Sequence, residues 1–102
     1  MNYKILIFDR EEVIASFQNE YKHISINSKL SKLLENRETY ESMSKEKILE
    51  EVESSYYFIY PLIISTDVVG LMIFLSDSTF STEQKRFLQF LSKLLINKID
   101  VL

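Results

Sequence analysis

The chain has 102 residues, of which 46% are hydrophobic and 26% charged, and a formal net charge of −3. That is one domain of ordinary globular composition spanning 1–102, so disorder is excluded as its main state. The absence of Cys excludes disulfides, thiolate metal sites and thiol nucleophiles, and the acidic balance gives no electrostatic footprint for nucleic acid.

Residues Tyr3 to Asp9 are rich in Ile and Phe and predict a buried strand. Asp9-Arg10-Glu11-Glu12 is a polar turn, and Val13 to Phe17 returns as a second strand, which completes a hairpin. His23 to Ile26 is a short extended piece. Asn27 or Ser28 then caps a helix whose apolar face is Leu30, Leu33 and Leu34 and which stops near Asn36.

From Glu35 to Glu53 the chain carries seven acids against three bases. The charges themselves predict a solvated face or loop. Ile48, Leu49 and Val52 add a thin apolar stripe that would fit a helix from about Lys45 to Glu53, or a charged strand pairing onto the next one, but the solvated face or loop remains the favoured expectation. Ser55 to Ser65 and Val68 to Ser76 form the central hairpin. Both strands are apolar on both faces, which calls for cover on each side of the sheet. The only Pro, Pro61, lies near the start of the first strand, and the only Gly, Gly70, lies inside the second. A strand Pro fits an edge, a start or a bulge, and a strand Gly marks a bulge or a close backbone approach. The hydroxyls of Tyr56, Tyr57 and Tyr60 need partners wherever they are buried.

Ser81-Thr82-Glu83-Gln84 has the spacing of a capping box, with Phe80 placed to staple onto Arg86 or Phe87. A helix from Thr82 to about Asp100 follows, with Phe87, Phe90, Leu91, Leu94, Leu95 and Ile99 at helical period and Leu88 and Leu102 widening the stripe. The stripe is wider than one sheet contact needs. Either the helix is a thick core element, or one edge of it packs on a second copy of the chain. Phe87, Leu91, Leu94 and Leu95 are the candidates for that homodimer interface.

The apolar-apolar-Gly hairpin from Pro61 to Ser76 resembles the central hairpin of GAF domains, small-molecule sensory modules of many regulators; an ordinary buried hairpin is the alternative. Within that superfamily the chain is most similar to the C-terminal domain of stage V sporulation protein T, a regulator of spore-forming Firmicutes. Ile5-Leu6-Ile7-Phe8-Asp9-Arg10-Glu11 with Val13-Ile14-Ala15 resembles that family's first hairpin, in which an apolar strand ends in an Asp-Arg turn. Lys29-Leu30-Ser31-Lys32-Leu33-Leu34-Glu35 resembles its first helix, and Glu83 through Lys98 its terminal helix. The similarity is weakest from Thr39 to Glu53. It implies an α/β (α+β) fold, a GAF-like antiparallel sheet with a long C-terminal helix packed on one face. The family's swapped-hairpin DNA-binding domain has no counterpart here, nor does the helix that precedes its first strand. The chain is therefore expected to be either an excised domain or a stand-alone relative, with no direct nucleic-acid contact of its own.

Chemistry-bearing constellations are few. His23 is the only His, and it reads as a turn residue more readily than as an acid/base partner of Asp9 or Glu20. One Gly cannot build a phosphate loop. GAF-type sulfoxide reductases and bilin carriers depend on Cys, which is absent, and the residue set associated with cyclic nucleotides is not in recognisable order. No enzyme, metal or cofactor is expected. No apolar run approaches the ~18 residues that span a bilayer, and Met1-Asn2-Tyr3-Lys4-Ile5 leads straight into a strand rather than a signal peptide, so a cytoplasmic protein without membrane contact is expected.

There remains an apolar pocket. Alternation puts Phe58, Tyr60, Leu62 and Ile64 on one face and Tyr57, Ile59 and Ile63 on the other. Phe58, Tyr60, Leu62, Met72 and Phe74 are the candidates for holding a small molecule, although simple core filling is the favoured reading. The resemblance implies a ligand on the face away from the terminal helix. The function expected is a regulatory domain of a sporulation-type transcription regulator, working by small-molecule binding, dimerisation or both. A stand-alone interaction module without ligand is the alternative.

Overall fold

The computed structural model describes residues 3–16 and 23–101, with the side chains of Tyr3, Ala15 and residues 97–101 left out. The expectations placed on Phe17, Glu20 and Leu102, and on the side chains of Lys98 and Ile99, lie outside the described residues.

Among the described residues seven elements follow in order: β1 (Tyr3–Phe8), β2 (Val13–Ser16), α1 (Ser28–Asn36), β3 (Tyr40–Glu41), β4 (Tyr56–Ile64), β5 (Asp67–Ser76) and α2 (Thr82–Val101). The strands form one sheet in the order β2-β1-β5-β4-β3, and every neighbouring pair is antiparallel. The fold is α+β, with the C-terminal helix packed on the sheet.

The first hairpin closes through the Asp9 carboxylate. Its Oδ1 accepts from the backbone N–H of Glu11 at 2.7 Å and of Glu12 at 2.9 Å. Those two donors hold the Asp9 carboxyl below its ordinary pKa. Arg10 then reaches across to donate to the Val68 carbonyl at 3.1 Å, which ties the turn to β5. Gly70 lies where these strands meet. A Cβ there would overlap the Phe8 carbonyl oxygen. The β4–β5 register also slips next to it, between Leu62↔Gly70 and Ile63↔Val68. Both roles open to a strand Gly are thus filled: a bulge and a close backbone approach.

One side of the sheet is closed by α1 and two irregular stretches. Asn27 caps α1, its side chain accepting from Leu30 N–H at 3.0 Å and donating to the Ile48 carbonyl at 2.9 Å. Leu30, Leu33 and Leu34 point inward onto Leu6, Phe8, Tyr57, Ile59, Leu71 and Ile73. Ile24 joins them because residues 24–26 pair with the start of β2 (Val13 N–H to Ile24 O 2.8 Å, Ile26 N–H to Glu11 O 2.7 Å).

The charged stretch runs as the expected loop, and no helix forms from Lys45 to Glu53. These residues run as turns and bends, and Glu46 and Ser55 bridge through two backbone hydrogen bonds of 2.9 Å. Nine residues make a marginal helix, and this one would carry Glu50, Glu51 and Glu53 at its negative end. The loop path does better. It drops Leu49 and Val52 into the core, where they are 1% and 4% exposed. The pairing alternative is met in part, since Glu46 bridges to Ser55 and the two-residue β3 pairs Tyr40 with Ile59 and Glu41 with Phe58.

The other side is covered by α2. Its capping box is formed: Ser81 Oγ accepts from Gln84 N–H at 3.1 Å, and Gln84 Oε1 accepts from Ser81 N–H at 2.7 Å. Phe80, expected as a staple on the helix, is buried in the core beneath α2. It tilts against Phe58 at 5.8 Å between ring centres. Leu88, Leu91, Leu95 and Ile96 pack on Phe58, Leu62, Met72 and Phe74. Ser92 is buried in this contact and returns its hydroxyl to its own helix, to the Gln89 carbonyl at 2.8 Å.

Candidate functional site

The alternation reading of β4 holds in space. Phe58, Tyr60 and Leu62 face α2, whereas Tyr57, Ile59 and Ile63 face α1. Met72 and Phe74 also lie on the α2 side. All five pocket candidates therefore sit beneath the terminal helix, the side opposite to the one the resemblance implies for a ligand. Phe58, Leu62, Met72 and Phe74 are each buried, and Phe58 and Phe74 stack at 6.2 Å. Tyr60, of the five, lines a cavity.

That cavity is a cleft of about 410 Å³ between the outer edge of β4 and the C-terminal half of α2, lined by Thr39, Tyr60, Pro61, Ile63, Lys93 and Ile96. It exists because β3 is so short. The backbone of Tyr57 faces Ser42 on the β3 side (Ser42 N–H to Tyr57 O, and Tyr57 N–H to Ser42 Oγ, both 2.9 Å). By the period of two, Pro61 turns the place of its missing N–H to the same side, past the end of β3, where no ladder partner is needed. A face-by-face reading cannot find such a site, because an edge exposes residues of both parities. The lone strand Pro was the available signal.

The four interface candidates divide. Phe87 and Leu94 are exposed, whereas Leu91 and Leu95 are half-buried and belong to the core beneath α2. Phe90, in the stripe but not among the candidates, is exposed beside them.

A polar cluster closes the opposite side. The Tyr40 hydroxyl and Ser42 Oγ (2.7 Å) both donate to Glu46 Oε2. Lys29 Nζ donates to the Tyr40 hydroxyl at 3.3 Å, lies 4.4 Å from the centre of its ring, and stands 4.0 Å from Glu46 Oε1. Burial pushes the Glu46 carboxyl up, but the bonds from Tyr40 and Ser42 and the Lys29 charge outweigh it, so its pKa is lowered. The bond to Glu46 in turn raises the Tyr40 hydroxyl. The buried Tyr57 hydroxyl accepts from Leu49 N–H at 3.3 Å, which pins the loop to the sheet.

His23 is exposed in a bend with a left-handed backbone (φ 61°). Among the described residues no hydrogen bond or ion pair joins it to Asp9, and no group of three His, Asp or Glu is placed to hold a metal ion. No helix among them is long and apolar enough to cross a membrane.

No curated protein matches the chain. The sequence profile of one family, described as Stage V sporulation protein T C-terminal, transcription factor, matches residues 1–98, nearly the whole chain. This sheet with its C-terminal helix belongs to the stage V sporulation protein T C-terminal family of transcription factors.

Proposed function

We propose that this chain is a GAF-like regulatory domain of a sporulation-type transcription regulator, and that it acts by self-association through α2. The observation that carries this is the outward stripe of Phe87, Phe90 and Leu94, which are 50%, 57% and 47% exposed. They recur at i, i+3 and i+7, the spacing of a helix–helix seam. Isolated exposed apolar residues need no explanation, but two aromatics and a Leu contiguous on one helix suit an interface. The net charge of −3 favours a domain that leaves phosphate contact to other parts of a regulator. Regulation then works by population shift. A small molecule that binds one arrangement of α2 more tightly than another alters the geometry of whatever the domain is joined to. The cleft beside α2 supports the ligand half of this reading.

The chain mass is 12.1 kDa. Light scattering on eluted protein is expected to give twice that for the native chain. The double variant Phe87→Glu, Leu94→Glu is expected to run at the single-chain mass with an unchanged far-ultraviolet spectrum. A native protein that stays at the single-chain mass at high micromolar concentration overturns self-association.

A further inference from the structure

We propose that the cleft between β4 and α2 is a binding site for a small amphipathic carboxylate, with Lys93 taking the carboxylate and Tyr60, Pro61, Ile63 and Ile96 enclosing its apolar body. This deepens the regulatory reading above by naming the chemical class it would sense.

Four of the six lining residues present apolar surface, two of them rings, and the volume of about 410 Å³ lies in the range of small-molecule sites, roughly 300–1,000 Å³. Lys93 is the one charged residue among them. Among the described residues no carboxylate pairs with it, whereas Lys29 and Lys85 each have an acid within 4.0 Å. A cation set in an apolar lining on an acidic protein selects a ligand with one negative charge and a greasy remainder. Thr39 and the Tyr60 hydroxyl supply further polar atoms beside it.

The same geometry argues against other occupants. A phosphate group is held by convergent backbone N–H groups or by guanidinium forks. Here the backbone at Pro61 has no N–H to give, and the lining contains no Arg. A peptide strand extending β3 along this edge would lose a ladder bond at the same Pro. A lone ammonium can hold phosphate as a point charge, but its single positive charge balances a monocarboxylate and leaves a phosphate monoester, at about −1.5 to −2, under-neutralised.

The cleft is also distinct from the association stripe. Ile96 lies nine residues beyond Phe87, which at 100° per residue brings it about half a turn round α2 from that ring. One rigid helix therefore forms a wall of the cleft on one flank and carries the stripe on another.

The test uses the native chain labelled with ¹⁵N and with ¹³C at the Ile methyl groups, titrated with phenylacetate and, separately, with its neutral isostere phenylacetamide. Saturable shifts are expected at Thr39, Ile63 and Ile96, with phenylacetate bound at least about fivefold more tightly than the amide. Lys93→Glu is expected to weaken phenylacetate about tenfold or more while leaving the amide unchanged, and Lys93→Arg to retain binding. Lys93 is exposed, so neither variant threatens folding. Equal affinity for acid and amide, indifference to Lys93→Glu, or no saturable shift with phenylacetate overturns the site. The light-scattering mass is an independent readout. A dimer that ignores phenylacetate removes the ligand class and leaves the association reading standing; a monomer that binds it keeps the site and removes the association.

Discussion

The two faces of this sheet are finished differently. On the α1 side every apolar residue of the helix (Leu30, Leu33 and Leu34) is buried, and the irregular stretch from 43 to 54 adds Leu49 and Val52 without forming a second helix. On the α2 side a helix of 20 residues buries Leu88 yet leaves Phe87, Phe90 and Leu94 outside, with a cleft along its flank. A face with nothing left over serves stability. A face with surplus apolar surface is where contacts with other molecules can form, because its residues are not needed to hold the domain together.

That contrast can be broken most directly by truncating one Leu on each side. Leu49→Ala should destabilise the fold by about 2–4 kcal/mol, from lost transfer energy plus a cavity. Leu94→Ala should cost about 0.5 kcal/mol or less at low micromolar concentration, and lower the solution mass instead. Urea midpoints give both numbers, and equal losses would erase the distinction between the faces. Tyr57→Phe should cost about 1–2 kcal/mol, since it strands the buried Leu49 N–H with the ring still in place.

The polar cluster sharpens the contrast through pH. The folded Glu46 carboxyl is lowered, so its contribution is present above the ordinary Glu value of 4.5 and is lost as pH falls through the lowered folded value. Tyr40 is raised, so its contribution is full below the ordinary 10.0 and is lost as pH rises through the higher folded value. Glu46→Gln should therefore flatten stability against pH at both ends while leaving the α2 side unaffected; an unchanged profile would show that the cluster is only decoration. The smallest effect is a gain. Arg37 follows α1 in the left-handed region (φ 56°), with its N–H bonded back to Leu34 O at 3.3 Å. Arg37→Gly should raise stability by up to about 1 kcal/mol in thermal melts.

What the sequence made legible was local and periodic. Asn27 as cap, the Ser81–Gln84 box, the two hairpins and the stripe of α2 are each written within a few residues, and Gly70 carried its own signal. That residues 43–54 form a loop was legible from their charge, but the path of that loop was not. Spacings such as Ile48, Leu49 and Val52 fit a short helix or a pinned loop equally well, and the path was set by tertiary partners: Tyr57 holding the Leu49 N–H, Ser55 bridging Glu46, and Asn27 holding the Ile48 carbonyl. The candidate site was half hidden for a similar reason. Tyr60 could be named from alternation, but Thr39, Lys93 and Ile96 meet it only after folding, across an edge left open by the shortness of β3.

The seam between β1 and β5 has a consequence for synthesis. These strands are adjacent in the sheet yet distant in the chain; the bond that locks their ends, from Arg10 to Val68, joins residues 58 apart. The first hairpin therefore leaves the ribosome with its inner margin bare and waits for more than half the polypeptide to follow before that margin is paired. A nascent chain stalled before β5 would present Leu6 and Phe8 to its neighbours, so translation speed through the middle of the message bears on how much of this protein reaches its native form.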